Sequence, residues 1–269
     1  MKNLSFILLF ICPLALFSVE RMPWTETDLI LYPRLDVLYQ HYQKIQSSKK
    51  SQHGNADDIF FTPALSGSYA PWSVEVALTA AKTDHQGFGF DNIRLTGSYQ
   101  WMNDIIYDPA SIAFGLSYIA ASKSALYDIS SFHHGRNEVE FYISFGKEDT
   151  QYNTWGSRWW GVGVFGLADH GSPWYRLTAA WEKNIHETFL VRLFADGLFG
   201  MGGEALDLEH HFKGYGPIKH RSVDIGIHLT KLTECRGFWI FEYTRRVYAR
   251  NFPENTNLFQ CTFVYPYPL

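Results

Sequence analysis

Charged side chains in this 269-residue chain recur on one parity of segments whose other parity is apolar. Arg34, Asp36, Glu75, Arg94, Glu138, Glu140, Arg176, Glu182, Arg192, Asp196, Asp224, Glu242 and Arg246 all fall on the polar parity. Acids and bases occur in comparable number. Gathered on one inner wall, they have two uses. They could form a charged constriction that selects small solutes. They could also pair across a narrow interior and only hold its shape, because an unpaired charge in a confined space is costly.

Other residue groups could do different chemistry. His133-His134 and His210-His211, with His220 nearby, could collect a transition metal. On an extended chain adjacent side chains point to opposite faces, so each pair offers one ligand per side. These histidines are therefore read as solvated loop residues, with no metal site. His228 and Asp224 share a parity and could couple as base and orienting acid. No nucleophile motif accompanies them, and His186-Glu187-Thr188 lacks the second histidine of a zinc-protease helix. No catalytic residue and no cofactor is assigned. Gly161-Val162-Gly163-Val164-Phe165-Gly166 matches the dinucleotide-binding string, yet Trp159-Trp160 precede it and strand pattern follows. It reads as a glycine-rich strand in a curved wall.

The elements that would position these residues are strands. Val139, Phe141, Ile143 and Phe145 oppose Glu138, Glu140, Tyr142 and Ser144; Val223, Ile225, Ile227 and Leu229 oppose Ser222, Asp224, Gly226 and His228. Strict alternation gives each strand one apolar and one polar wall. About twelve strands are predicted, over 28–42, 59–69, 72–82, 91–101, 111–121, 137–147, 158–168, 174–183, 188–198, 222–231, 237–247 and 256–267.

Met1 to about Glu20 reads as a signal peptide: Lys2 is the positive end, and Leu4 to Phe17 form an apolar run too short to span a bilayer. Residues 21–269 then form one domain. A content of 46% hydrophobic and 17% aromatic residues excludes a disordered chain. The formal charge of −4, with no basic patch among aromatics, argues against a nucleic-acid partner. Cys235 and Cys261 are expected as free thiols, one in a turn and one mid-strand.

Connection lengths add sidedness. Those after odd-numbered strands average about twice the others, as the long outer loops and short periplasmic turns of an outer-membrane barrel do. The long ones are placed at 43–58, 122–136 and 199–221. Trp72, Trp101, Trp160, Trp181 and Trp239 fall toward the opposite rim, on the apolar parity, and are expected to form an aromatic belt at the lipid interface. The last strand carries Phe259, Phe263, Tyr265, Tyr267 and Leu269 on one parity, which resembles the C-terminal assembly signal of such barrels, although Pro266 and Pro268 interrupt it.

The mature chain resembles Gram-negative outer-membrane β-barrels, and in detail uncharacterised barrels of the chlamydial lineage. The resemblance rests on Tyr39-Gln40-His41-Tyr42, Phe88-Gly89-Phe90-Asp91-Asn92, Ser157-Arg158-Trp159-Trp160-Gly161, His211 to Pro217 and Arg246 to Asn251. It implies location and fold, and no site residue.

The sequence thus predicts an all-β chain. Its fold is an antiparallel up-and-down transmembrane barrel of about twelve strands, with both termini periplasmic. Its expected partners are outer-membrane lipid, the barrel-assembly machinery and small solutes that pass by a porin-like passive route. The alternative is a non-conducting surface barrel that acts through its loops. A barrel lipid hydrolase is a third reading.

Overall fold

The computed structural model describes residues 21–47, 52–84, 86–151, 154–185, 188–207, 212–233 and 237–269. The expected leader, His85, His186-Glu187, His210-His211 and Cys235 lie outside these residues.

Twelve antiparallel strands close into a barrel. They are β1 (Ile30–Gln46), β2 (Gln52–Tyr69), β3 (Trp72–Lys82), β4 (Gly89–Met102), β5 (Ser111–Ala121), β6 (Asn137–Gln151), β7 (Thr154–Ala168), β8 (Trp174–Ile185), β9 (Phe189–Gly200), β10 (Arg221–Leu232), β11 (Phe238–Arg250) and β13 (Asn257–Val264). Each pairs with its neighbours in sequence. Closure comes at β1, where Arg34 lies opposite both Ala64 of β2 and Val264 of β13. Two short strands extend the β13 edge along β1: β12 (Phe252–Glu254) covers its end and β14 (Tyr267–Pro268) its start. Pro266 and Pro268 therefore end the full ladder at Val264 rather than abolish the seam, since proline lacks the ladder donor.

The alternation does what the side-chain period requires. In β3, Trp72, Val74, Val76 and Leu78 face out and are exposed, while Ser73, Glu75 and Ala77 are buried inside. Phe141, Ile143 and Phe145 of β6, and Ile225, Ile227 and Leu229 of β10, continue the outer apolar wall. An apolar surface that runs round the whole barrel needs an apolar surrounding. Cys261 is a free thiol on this wall, between Phe259 and Phe263.

Two predicted boundaries move. β1 runs on to Gln46 and β2 begins at Gln52, so most of the expected 43–58 loop is strand, with Ile45 and Ala56 packed into a buried cluster. β6 and β7 likewise extend to Gln151 and from Thr154. Cross-strand pairing carries the polar residues that read as loop. The 122–136 connection stays long, holding the short helix α1 (Lys123–Leu126) and a 3-10 turn at Ile129–Ser131. Residues 201–220 form the longest connection.

Both described chain ends lie at one rim, here the near rim. The connections at 83–88, 122–136, 169–173, 201–220 and 251–256 gather at the far rim.

Candidate functional site

The lumen has three layers, each set by which side chains the inward parity supplies. At the near rim residues 21–28, which precede β1, turn into the barrel. Met22 and Trp24 are buried against Tyr142, Trp160, Val162, Val164 and Ala180. The Trp24 ring meets Trp160 edge-on at 6.0 Å and lies under the Arg158 guanidinium at 5.3 Å. Its Nε1 donates to Asp104 at 2.9 Å. The Tyr32 hydroxyl donates to Glu26, Thr25 bonds Gln100, and Arg21 pairs with Glu140. Burial raises the Glu26 carboxyl to about 7, with the Tyr32 bond opposing it.

This segment corrects one belt residue. Trp72, Trp101, Trp181 and Trp239 are exposed on the outer wall, but Trp160 is buried in the lumen. Trp159 takes the outer position and pairs across the strands with Trp181. The cause is local: the inward parity of β7 is itself apolar at Trp160, Val162 and Val164, because protein rather than water fills the lumen there. Parity on β7 could not be decided from alternation alone. Its glycine string lies wholly within the strand. At Gly166 an added Cβ would sit 2.1 Å from the Trp174 ring, so only glycine admits that ring.

The middle layer is a cavity of about 440 Å³. Arg34, Asp36, Glu75, Arg94, Arg176, Arg192, Asp196, Asp224 and Glu242 of the sequence-predicted set line it, with Arg21, Trp160 and His228. Arg34 donates to Asp36 at 2.9 Å and forms an ion pair with Glu75 at 3.0 Å. Arg158 holds Glu182 at 2.6 Å and Arg192 reaches the same carboxylate at 3.4 Å, on the side of the near segment. Asp224 accepts two bonds from Arg246, at 2.8 and 3.0 Å, and so is not the partner of His228. His228 instead bonds Thr230 at 2.9 Å and faces Glu242 at 3.5 Å. The proposed Asp224–His228 couple does not form, since the Arg246 guanidinium takes both Asp224 oxygens in a two-pronged bond.

The far layer is apolar. Tyr42, Ile45, Ala56, Ile129, Trp174, Leu198, Leu206, Tyr215, Ile218 and Phe252 make one buried cluster under the folded-in connections. Tyr215 is fully buried; its hydroxyl donates to the Ile129 carbonyl at 3.1 Å. Gly214 beside it has a φ of 89°, in the left-handed region where glycine carries little strain. Glu138 and Arg246 serve this layer rather than the cavity. Glu138 accepts from the backbone N–H of His134 and Gly135, and Arg246 donates to the Pro253 carbonyl.

Here the reading of solvated histidines is overturned for His133, His134 and His220, all of which are buried. His133 sits 2.9 Å from Asp91 and 3.5 Å from Glu138. Burial pulls its pKa down, yet the two carboxylates outweigh it and hold the imidazole at about 9. His134 stacks on Trp174 with ring centres 3.7 Å apart, and its Nε2 is 3.2 Å from that of His220. Burial lowers both, His220 to about 4 and His134 well below its ordinary value. The 122–136 connection is a packed layer rather than a solvated loop, and only its mix of Ile129, Phe132 and small residues hinted at that. No group of three or more His, Cys, Asp or Glu placed to hold a metal is found among the described residues.

No protein-family model matches the chain, and no curated protein matches it. Solved structures do. An outer membrane channel from Pseudomonas putida F1 superposes with a TM-score of 0.65 at 7% identity, covering 93% of this chain and 100% of that one. The NanC porin gives 0.57 at 8% identity, covering 87% and 98%. The translocator domain of the autotransporter NalP from Neisseria meningitidis gives 0.52 at 8%, covering 91% and 90%. At such identities the likeness is one of fold: this chain is a closed antiparallel β-barrel of the kind found in outer-membrane proteins.

Proposed function

We propose that the chain is an integral outer-membrane barrel that works as a narrow, constricted channel for small solutes. The observation that carries this reading is the charged cavity of about 440 Å³ in mid-barrel, where Arg94, Asp196 and Glu242 keep part of their surface open to water. The continuous apolar outer wall and the likeness to an outer membrane channel and a porin support it. On this reading the near rim faces the periplasm. The far rim, with its long connections, faces outward. Lipid and the assembly machinery are its envelope partners on this reading.

The near segment and the far cluster both narrow the route. Conductance is therefore expected to be small, well below that of a wide porin. Purified protein in a planar bilayer tests this. Discrete current steps, enlarged when the far cluster is loosened by Tyr215→Ala, are the expected result. Absence of steps from both proteins would sink the channel reading.

That outcome would favour the second reading, a non-conducting surface barrel. The far cluster is the observation in its favour, since ten buried apolar side chains close that end. For the hydrolase reading, the Asp224–His228 couple is not assembled: Asp224 is held by Arg246, and His228 Nε2 bonds Thr230.

A further inference from the structure

The arginines of the lumen differ in what they hold. Arg34, Arg192 and Arg246 each have a carboxylate within 3.4 Å, and Arg21 is bound to Glu140. Arg176 approaches Asp196 at 3.6 Å. The Arg94 guanidinium makes no hydrogen bond and no ion pair among the described residues. Its strand position is inward, between Ile93 and Leu95 on the outer wall, and it stays exposed to the cavity. Its five N–H donors face the cavity and are free to take the acceptors of a ligand.

The cavity lining sets five arginines against five acids, but the pairing around Arg94 is uneven. Arg21, Arg94 and Arg176 all act on one carboxylate, that of Glu140. Glu75, the other acid acting on Arg94, is already held by Arg34 at 3.0 Å. On this arc of the wall, from β4 to β8, Arg94 is therefore left without an ion pair of its own. The same cavity carries an apolar side at Trp160, Val162, Ala180 and Phe194.

We infer that Arg94 is the anchor of a lumenal binding site for a small organic carboxylate. The planar guanidinium takes the carboxylate in a two-pronged bond, Arg176 adds charge beside it, and the apolar side receives the body of the molecule. A cavity of about 440 Å³ suits a molecule of that size. An inorganic oxyanion would use the charge and leave the apolar side unused. The inference rests on the channel reading only for access from water; the binding itself does not require conduction.

Titration calorimetry of sodium benzoate into the folded barrel in detergent micelles tests it, with heat-modifiable gel migration confirming the fold of each variant. Saturable binding is expected, weakened at least about tenfold in Arg94→Gln because the charged, two-pronged partner of the carboxylate is lost. Arg94→Lys keeps the charge without the fork and is expected to fall between. Should Arg94→Gln not fold, Arg94→Lys carries the test, and binding equal to the unaltered protein counts against the site. Sodium phosphate is expected to bind more weakly than benzoate; equal or tighter phosphate binding would overturn the organic-carboxylate assignment. No saturable benzoate binding to the unaltered barrel, or equal binding by Arg94→Gln, would overturn the site. Bilayer current separates the two readings. A barrel that binds benzoate but never conducts removes the channel and leaves the site. A barrel that conducts without binding removes the site alone.

Discussion

The two fillings of the lumen are built from opposite materials. The far one is a cluster of aromatic and aliphatic side chains from strand ends and several connections, with the rings of Tyr215, Phe252 and Phe132 in mutual contact. The near one is a single segment that holds on by two buried apolar side chains and a set of polar bonds from Arg21, Trp24, Thr25 and Glu26. Apolar packing shared by several chain segments opens only if all of them move together. A single segment can detach alone, at a cost limited to its own docking energy. The far end is therefore the fixed wall of this lumen and the near end the separable one.

The largest expected effect breaks the far filling. Tyr215→Ala removes a fully buried ring and the bond to Ile129, a change of the class that costs about 3–5 kcal/mol. Proteolysis of the 201–220 connection in the folded barrel should accelerate accordingly, and thermal unfolding should come earlier. Trp24→Ala removes a ring of similar size. Its effect on barrel melting should be much smaller, because release of residues 21–28 caps the loss. Equal melting shifts for the two variants would refute the contrast.

Acidity separates the ends next. His220, lowered to about 4, binds its proton less readily in the fold than at its ordinary 6.5. Its contribution is complete above 6.5 and is lost as pH falls toward 4. His133, raised to about 9, contributes fully below 6.5 and loses that as pH rises through 9. Each is worth on the order of 3 kcal/mol. The far filling should thus resist proteolysis best near neutrality and loosen on both sides. The near segment behaves otherwise. Glu26, raised from 4.5 to about 7, favours docking below 4.5, and that share disappears as pH rises through 7. Amide exchange at residues 21–28, corrected for intrinsic rate, should accelerate between pH 5 and 8 while the far connections hold.

The same contrast explains what the sequence let one read. Ten of the twelve barrel strands start within two residues of their predicted positions, because a wall between lipid-like surroundings and water imposes strict alternation. The strands starting at Gln52 and Thr154 begin well before their predicted positions. In the first of these hairpins the few apolar residues, Tyr42, Ile45 and Ala56, turn into the far cluster among polar neighbours, so pairing leaves no regular hydrophobic trace. The inward charges were legible for the same reason as the strands. Their sorting into cavity, near layer and far layer was not, since it depends on which partner each meets across the lumen: Asp224 meets Arg246, not His228. Residues 21–28 and the buried histidines escaped altogether. Both lie in segments without a period, where burial comes from contacts distant in sequence, such as Trp24 with Trp160 or His134 with His220.

The smallest effect is the most direct test of that lesson, because it sets two adjacent tryptophans against each other. Alternation with polar inside and apolar outside assigns Trp160 to lipid; the structure assigns it to the near filling and gives the lipid face to Trp159. A charge on the outer wall near a rim costs about 0–1 kcal/mol, against about 2–4 kcal/mol for a basic residue at mid-height such as Ile225→Arg. Trp159→Asp should therefore leave folding in micelles and docking of residues 21–28 almost unchanged. Trp160→Asp puts a carboxylate against Met22 and Trp24 and should expel the segment, seen as fast amide exchange at 21–28 with the barrel still heat-modifiable. If Trp159→Asp were the variant that released the segment, the inward wall of β7 would be misassigned, and with it the account of how the near end of the lumen is closed.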